Sequence, residues 1–276
     1  MKKHKICKIL LVILAIFLCV AFYELLGICV AYKKQPEVSN TTKKETKNGS
    51  WNECSENTER AVIIEKNPEA LLQRVRLIKN AKKEIILSTF AFQSDESGKL
   101  ILGALHDAAD RGVHIRLLVD GMESWIDMEG NPYFYGLSSH ENVEIKLYNK
   151  ANPLKPWKMM GRMHDKYLIA DGKRYILGGR NTYNYFLGDF PGHKNYDRDV
   201  LVVCDEPEKE NSVNQLLEYF ETIWEQEDSG YFHDNKKLAN RKSVKNAVLE
   251  LQNGYQKYFE ENKERICDTD YTDETF

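Results

Sequence analysis

The sequence lacks the charge imbalance that often marks a protein whose partner is a nucleic acid. Its 276 residues include 39 Lys and Arg against 42 Asp and Glu, and the formal net charge is −3. Domains that bind nucleic acid commonly carry a clear basic excess. The composition therefore disfavours a nucleic-acid partner, although it leaves local basic patches open. A hydrophobic fraction of 42% supplies enough apolar material for one globular domain.

Cysteine is scarce and shows no pattern typical of a metal site. The six cysteines are Cys7, Cys19, Cys29, Cys54, Cys204 and Cys267. None of them stands in a C-x-x-C or Cys/His arrangement with zinc-ligand spacing, so the sequence predicts no metal. Cys204 ends an apolar, strand-like run and is expected to be a buried thiol. Cys54 and Cys267 flank the domain, and the sequence leaves open whether they pair in an oxidising compartment.

One long hydrophobic run is present, at the N-terminus. Residues 9–32 are apolar except for Glu24, which is long enough to cross a bilayer. A signal peptide is the competing interpretation, but it would have a shorter apolar core and a small-x-small cleavage site. We therefore expect residues 1–32 to be an uncleaved, single-pass anchor in the cell membrane. More lysines precede the run than follow it, which predicts a cytoplasmic N-terminus and an extracytoplasmic remainder.

The rest of the chain divides by composition into three parts. Residues 33–60 are polar and are expected to form a flexible linker. Residues 61–230 carry the pattern of a single α/β domain. Residues 231–276 are predicted to form an amphipathic helix, which packs on the domain or offers a partner surface, followed by a solvated acidic tail from Asp268 onward.

Strand-like and helix-like segments alternate through the predicted domain. Strands are expected at 61–64, 84–92, 113–119, 142–148 and 199–203. One intervening helix is opened by Asn67-Pro68 and another is ended by Gly112. This alternation predicts an α/β fold, with parallel strands in the sheet and helices on its faces. Asp120 ends one strand, and we expect it to act as a cap without a chemical role.

The most informative stretch is MHDKYLIADGKRYILGGRN, from Met163 to Asn181, with the spacing H-x-K-x4-D-x6-G-G-x-N. His164 and Lys166 are two residues apart in a strand-like segment. Side chains at this separation on a strand point to the same face, so the imidazole and the ammonium are expected side by side. Asp171-Gly172 predicts a hairpin turn.

The returning strand of this hairpin ends in residues suited to a bound anion. Gly178-Gly179 allows a ligand to approach the backbone closely, and Asn181 adds an amide donor. An ammonium and an amide stabilise charge on phosphoryl oxygens, and an imidazole attacks phosphorus or transfers protons. The combination favours chemistry on a phosphate ester. The alternative is a hairpin that carries one surface His and one surface Lys, and six matching positions argue against it.

This stretch resembles the HKD signature of the phospholipase D superfamily. GRMHDK, GGRN, Tyr185-Phe186 and YDRDVLVV are most similar to the bacterial cardiolipin-synthase type, and the similarity runs from about Arg60 to Trp224. The resemblance implies a phospholipase D-type mixed β-sheet with helices on both faces. The chain departs from the pattern in two ways. It has one HKD motif where such enzymes carry two, because residues 233–236 (HDNK) have the wrong spacing, and it has Gly179 where many relatives have Ser.

The resemblance also implies a role for each motif residue. His164 is expected to be the nucleophile that forms a phosphohistidine, or its acid partner. Lys166, Asn181 and the backbone of Gly178 and Gly179 are expected to hold phosphoryl oxygens. These groups supply the charge stabilisation, so no metal or other cofactor is expected.

Three acidic residues belong to the same predicted set. Asp199 is expected to accept a hydrogen bond from His164 and so orient the ring. Asp197 is a rival for that role, and pairing of Asp199 with Arg198 is the structural alternative. Asp171 is grouped with the catalytic residues as a member of the motif, but we expect it to have a structural part at the far end of the hairpin.

Three functions follow from this pattern and stay open. The chain is expected to be a membrane-anchored phosphodiesterase or phosphatidyltransferase that acts on phospholipids. The alternatives are a single-motif homodimeric endonuclease of the same superfamily and an inactive amino-terminal half of a two-motif enzyme. A homodimer would bring two copies of His164 to one phosphate. In the loop 149–162, Trp157, Met159 and Met160 are expected either to contact lipid or to fill a local core.

Overall fold

The computed structural model describes residues 2–33, 40, 43–44, 59–158, 160–207, 211–233 and 237–271. They fall into two compact units. The smaller unit joins the N-terminal helix to residues 151–162. The larger unit holds the described residues of Glu56–Lys150 and Met163–Phe276.

The larger unit is built on an eight-stranded mixed sheet. Its strands are β1 Glu59–Ile64, β2 Glu84–Thr89, β3 His114–Asp120, β4 Val143–Tyr148, β5 Lys166–Ala170, β6 Arg174–Gly178, β7 Asp199–Cys204 and β8 Ser229–Tyr231. Their order across the sheet is β1-β7-β6-β5-β2-β3-β4-β8. β2, β3 and β4 are parallel to one another, and every other pairing is antiparallel.

Helices cover both faces of this sheet. They are α2 Asn67–Asn80, α3 Glu96–Asp110, α4 Gly121–Asp127, α5 Pro132–Ser138, α6 Ser212–Trp224, α7 Lys242–Glu261 and α8 Lys263–Cys267. Alternate residues of β2 belong to two separate apolar clusters. Ile85 and Leu87 pack with residues of α2, α3 and α7, whereas Ile86 packs with Phe220 and Trp224 of α6. The period of two along a strand thus divides the core between the two faces, as the fold prediction requires.

The C-terminal helix α7 packs within the larger unit. It buries one stripe, and the backbone of Leu251 and the side chain of Tyr255 lie so close to Gly103 of α3 that a Cβ there would be 2.7 Å from each. Glycine therefore permits close packing of the two helices. The boundary expected at residue 231 thus falls inside one compact unit. The sequence left two roles open for this helix, packing on the domain or offering a partner surface. In the structure the helix packs on the domain.

The prediction of a solvated acidic tail holds for Asp268, Thr269 and Asp270, which are exposed, and is wrong for Tyr271. Tyr271 is only 2% exposed, and the guanidinium of Arg76 lies 3.9 Å from the centre of its ring. Arg76 also forms an ion pair of 2.9 Å with Asp268. These residues are held in place because they contact the guanidinium of Arg76 in α2 and neutralise its charge. The acidic composition of the tail does not reveal this contact.

Two of the cysteine expectations fall on described residues. Cys204 is buried at the end of β7, as predicted, and Cys267 is exposed. Cys54 lies outside the described residues, so its pairing with Cys267 stays a prediction.

The smaller unit contains helix α1, Lys2–Lys33. The stretch Lys5–Lys33 is long and apolar enough to cross a membrane; none of its residues is buried, and most are exposed. The helix thus has the length and composition predicted for a membrane anchor. Residues 151–162 of this unit contain a short 3₁₀ turn, Pro156–Lys158. Most of the predicted linker lies outside the described residues.

Candidate active site

The predicted turn after Ala170 is present and sets the position of the motif. Asp171 and Gly172 have φ of 55° and 62°, as in a tight hairpin turn between β5 and β6. Because the two strands are antiparallel, the start of β5 and the end of β6 lie at one edge of the sheet. Thr89 at the end of β2 pairs with Lys166, so the parallel strands end at the same edge.

His164 and Lys166 both lie at this edge, but they are not two members of one strand. β5 begins at Lys166, because the chain pairs with β2 only from that residue onward, and His164 precedes it in irregular, exposed backbone. Lys166 is 5% exposed, and its Nζ donates a 2.7 Å hydrogen bond to the carbonyl oxygen of His164. The two residues are therefore linked, although the expectation of a shared strand was wrong.

Phe90 contacts both motif side chains. Its ring centre lies 4.6 Å from that of His164 in an edge-on arrangement, and the Lys166 ammonium lies 5.3 Å from the same ring. An aromatic ring attracts a nearby cation and restricts a neighbouring ring. The sequence gives no signal for this residue beyond its place in an apolar run. The predicted strand continued to residue 92, whereas β2 ends at Thr89.

Burial controls the charge of Lys166. Removal from water lowers the pKa of its ammonium, and the negative charges of Asp165 and Asp197 oppose that shift. Asp197 therefore lies within electrostatic range of the lysine. A buried ammonium with partly compensating carboxylates is suited to an anionic ligand, which would favour its charged form.

Asn181 is held so that its amide nitrogen is oriented. Its Oδ1 accepts a 3.2 Å hydrogen bond from the backbone N–H of Ala91, and the residue is buried. The amide oxygen of Asn181 is thus held against the backbone that follows strand β2. Burial raises the pKa of Tyr183, and a hydrogen bond from Asn181 opposes this rise. The amide carries two N–H groups, one of them bonded to Tyr183, and the second has no partner among the described residues, so it can meet a ligand.

The two glycines of the motif lie against the residues that lead into β7. A Cβ on Gly178 would lie 2.0 Å from Oδ1 of Asp199 and 2.6 Å from the backbone oxygen of Arg198, so only glycine fits there without a backbone shift. A Cβ on Gly179 would lie 2.0 Å from Oδ2 of Asp197, whose side chain is exposed. A serine at 179 would therefore need the Asp197 carboxylate to turn away from the space that it occupies.

Asp199 does not make the expected hydrogen bond with His164. Its Oδ2 accepts a 2.8 Å bond from Arg74 of α2 and lies 3.3 Å from Nη1 of Arg180, and its side chain is fully buried. Its Oδ1 has no hydrogen-bond partner among the described residues. The carboxylate therefore faces the α2 side of the sheet.

The pairing of Asp199 with Arg198 is also absent. Arg198 instead forms an exposed pair with Glu65 at 2.9 Å. Of the two acidic residues that the sequence offered, Asp197 is the one that acts on the charge of Lys166.

The other two acidic residues bind backbone. Asp171 lies at the opposite end of β5, where it accepts hydrogen bonds from three successive N–H groups before and at the start of β2, those of Lys82, Lys83 and Glu84. This placement removes it from the edge that carries His164 and Lys166. Asp120 caps α4 and also accepts a 3.1 Å bond from the N–H of Met163. It thus positions the residue before His164, which goes beyond the simple cap expected.

A metal site was not expected near the motif. Within the part of the chain that the structure describes, no group of three or more His, Cys, Asp or Glu side chains is arranged to hold a metal ion. The imidazole, the ammonium and the amide at this edge are groups suited to binding an anion, and the carboxylates of Asp165 and Asp197 partly offset the charge of the ammonium.

Comparison with known proteins agrees with this geometry. A family described as "Cardiolipin synthase, PLD-like domain" matches residues 74–224, more than half of the chain. The chain belongs to the phospholipase D superfamily.

Two relatives and one solved structure illustrate the similarity. A Helicobacter pylori J99 protein is 30% identical over 212 residues, 71% of this chain and 39% of its own length. Cardiolipin synthase C of Escherichia coli K12 is 29% identical over 171 residues, 57% of this chain and 34% of its own. The crystal structure of Haemophilus influenzae phosphatidylserine synthase shares the fold, with a TM-score of 0.52, 18% identity, and 80% and 48% of the two chains covered. The chain thus spans well under half the length of these curated relatives.

The buried ion cluster gives a first prediction. Asp199→Asn leaves Arg74 and Arg180 buried without their counter-charge, and we expect it to lower the free energy of unfolding by roughly 3–5 kcal/mol. Urea unfolding of the full chain in detergent measures this loss. Asp205→Asn is the control, because Asp205 pairs with Arg60 in an exposed ion pair that should be worth less than about 1 kcal/mol. Equal unfolding midpoints for the two variants would contradict the assigned role of Asp199.

Proposed function

We propose that the protein is a membrane-anchored phospholipase D-like enzyme that cleaves or transfers the phosphodiester of a phospholipid. The observation that carries the proposal is the grouping of exposed His164, buried Lys166 and oriented Asn181 at one sheet edge. The apolar helix α1 and the similarity to cardiolipin synthases favour a lipid substrate. We place the N-terminus in the cytoplasm and the catalytic domain outside, from the excess of lysines before the apolar run.

The proposed reaction proceeds through a phosphohistidine. The His164 imidazole attacks phosphorus, and the bond to the leaving alcohol breaks as its oxygen takes the electron pair and a proton from a second imidazole. Water or an acceptor alcohol then attacks phosphorus and gives its proton back to the second imidazole, and the P–N bond breaks to release neutral His164. Lys166 uses one N–H on the His164 carbonyl, so two others are left for phosphoryl oxygens, together with the Asn181 amide.

The second imidazole is proposed to come from another copy of the chain. The motif supplies one histidine per chain, and the mechanism needs one neutral and one charged imidazole. A two-fold axis at the catalytic edge would bring two copies of His164 to one phosphate. The paired imidazoles would titrate together, so a bell-shaped dependence of rate on pH is expected.

The substrate test uses the full chain in detergent micelles. Labelled phosphatidylglycerol and single-stranded DNA are offered separately, with His164→Asn as the inactive control. We expect turnover of the lipid that is lost in the variant, because no other group in the motif can carry the phosphoryl group. Turnover of DNA without turnover of lipid would instead favour the nuclease. No turnover of either substrate would favour the inactive half of a two-motif enzyme.

Subunit mixing tests the shared site. Wild type and His164→Asn are co-refolded at varied ratios with the total protein constant. If each site uses two histidines, activity should follow the square of the wild-type fraction. A linear decline would show that each chain works alone.

The pH dependence tests the role of Asp197. Its negative charge raises the pKa of Lys166 against the effect of burial. Asp197→Asn should therefore lower that pKa further, so that Lys166 loses its proton at a lower pH than in the wild type. The measurement is the pH titration of the Lys166 ammonium by NMR on the full chain in detergent, which reads the lysine separately from the paired imidazoles that shape the rate profile, with exposed Asp189→Asn as the control. A Lys166 pKa that is unchanged or raised in Asp197→Asn would contradict this role of Asp197.

A further inference from the structure

Residues 151–162, here called the interfacial segment, are seated on helix α1. The hydroxyl of Tyr23 donates a 3.0 Å hydrogen bond to the carbonyl oxygen of Leu154. One helical turn further on, a Cβ at Gly27 would lie 2.5 Å from the ring of Pro156, which is buried. Positions four residues apart share one helix face. Gly27 therefore makes the recess in α1 that receives the proline.

The contact lies near the C-terminal end of the apolar part of α1. Tyr23 and Gly27 lie 14 and 18 residues after Ile9, where the apolar run begins. At a rise of about 1.5 Å per residue, they are about 21 and 27 Å along the helix. A bilayer has a hydrocarbon core of about 30 Å. The contact is thus close to the far boundary of the core, where hydrocarbon meets headgroups.

The side chains of the interfacial segment match that boundary. Leu154, Trp157 and Met160 are 78%, 47% and 54% exposed. The segment also contains Lys155, Lys158 and Arg162 and no acidic residue, in a chain whose net charge is −3. Tryptophan favours the membrane interface, and basic side chains favour anionic headgroups. Successive turns within the segment, such as Lys155 N–H to Asn152 O and Lys158 N–H to Lys155 O, at 2.9 Å each, satisfy backbone groups that would otherwise need water.

We propose that the interfacial segment inserts its apolar side chains into the outer boundary of an anionic phospholipid bilayer while it is docked on α1. The proposal rests on the part of the proposed function in which α1 crosses a membrane. It adds a second membrane contact, which is joined directly to the motif because His164 follows Arg162 by two residues. Of the two roles that the sequence left open for Trp157, it selects lipid contact.

The test uses the full chain reconstituted in vesicles whose acyl chains carry bromine, which quenches tryptophan emission at close range. Vesicles of phosphatidylglycerol with phosphatidylcholine are compared with phosphatidylcholine alone. In the anionic vesicles we expect Trp157→Phe to lose most of the lipid-quenchable emission. Trp224→Phe is the control and should lose none, because Trp224 is buried in the core of the larger unit. Unchanged quenchable emission in Trp157→Phe would overturn the proposal.

Two further variants separate the effect of docking on α1 from the effect of the basic side chains. Gly27→Leu should displace Pro156 and reduce the quenching of Trp157, even though α1 stays long and apolar enough to insert. Replacing Lys155, Lys158 and Arg162 together by Gln should reduce quenching in anionic vesicles toward the level in phosphatidylcholine alone. Equal quenching of the wild type in both vesicles would overturn the preference for anionic lipid. Because emission is read without turnover, an inactive but quenched protein would refute the enzyme proposal and leave this one standing.

Discussion

A buried carboxylate between two arginines fixes the edge of the sheet that carries the HKD motif. Asp199 at the start of β7 binds Arg74 of α2 and Arg180 of the G-G-R-N loop. Arg180 also donates to the carbonyl oxygens of Ile64 and Glu65, at 3.1 and 2.7 Å. One guanidinium thus joins β1, β7 and the loop that carries the amide donor. Such a cluster tolerates no loss of a partner, because the remaining charges stay buried.

The site combines an exposed group with buried ones. His164 is exposed and precedes the strand, and its ring packs edge-on against Phe90. Lys166 and Asn181 are buried and tied to backbone groups. Groups that stabilise developing charge act best when they need no rearrangement during the reaction. His164 is exposed and Lys166 is buried because β5 begins to pair with β2 only at Lys166.

The sequence predicted the parts of the fold that depend on local pattern. Apolar runs marked the strands, Asn67-Pro68 marked the start of α2, and Asp171-Gly172 marked the hairpin turn. Contacts between residues far apart in the chain could not be predicted from local sequence pattern. Asp197 and Asp199 fit the motif spacing equally well, and only the packing of α2 against the sheet shows that Asp199 faces Arg74. Phe90 and the C-terminal Tyr271 were missed for the same reason, since each acts through residues far away in the chain.

The contact between Gly179 and Asp197 has a consequence for how this sequence can change. The glycine leaves room for a carboxylate that approaches to within 2.0 Å of where a side chain would begin. A serine at 179 would need the Asp197 carboxylate to turn away, and because Asp197 is exposed this takes a change of rotamer and no second substitution. The carboxylate that would move is one whose negative charge raises the pKa of Lys166. A serine at 179 would therefore act on the lysine indirectly, by displacing that charge.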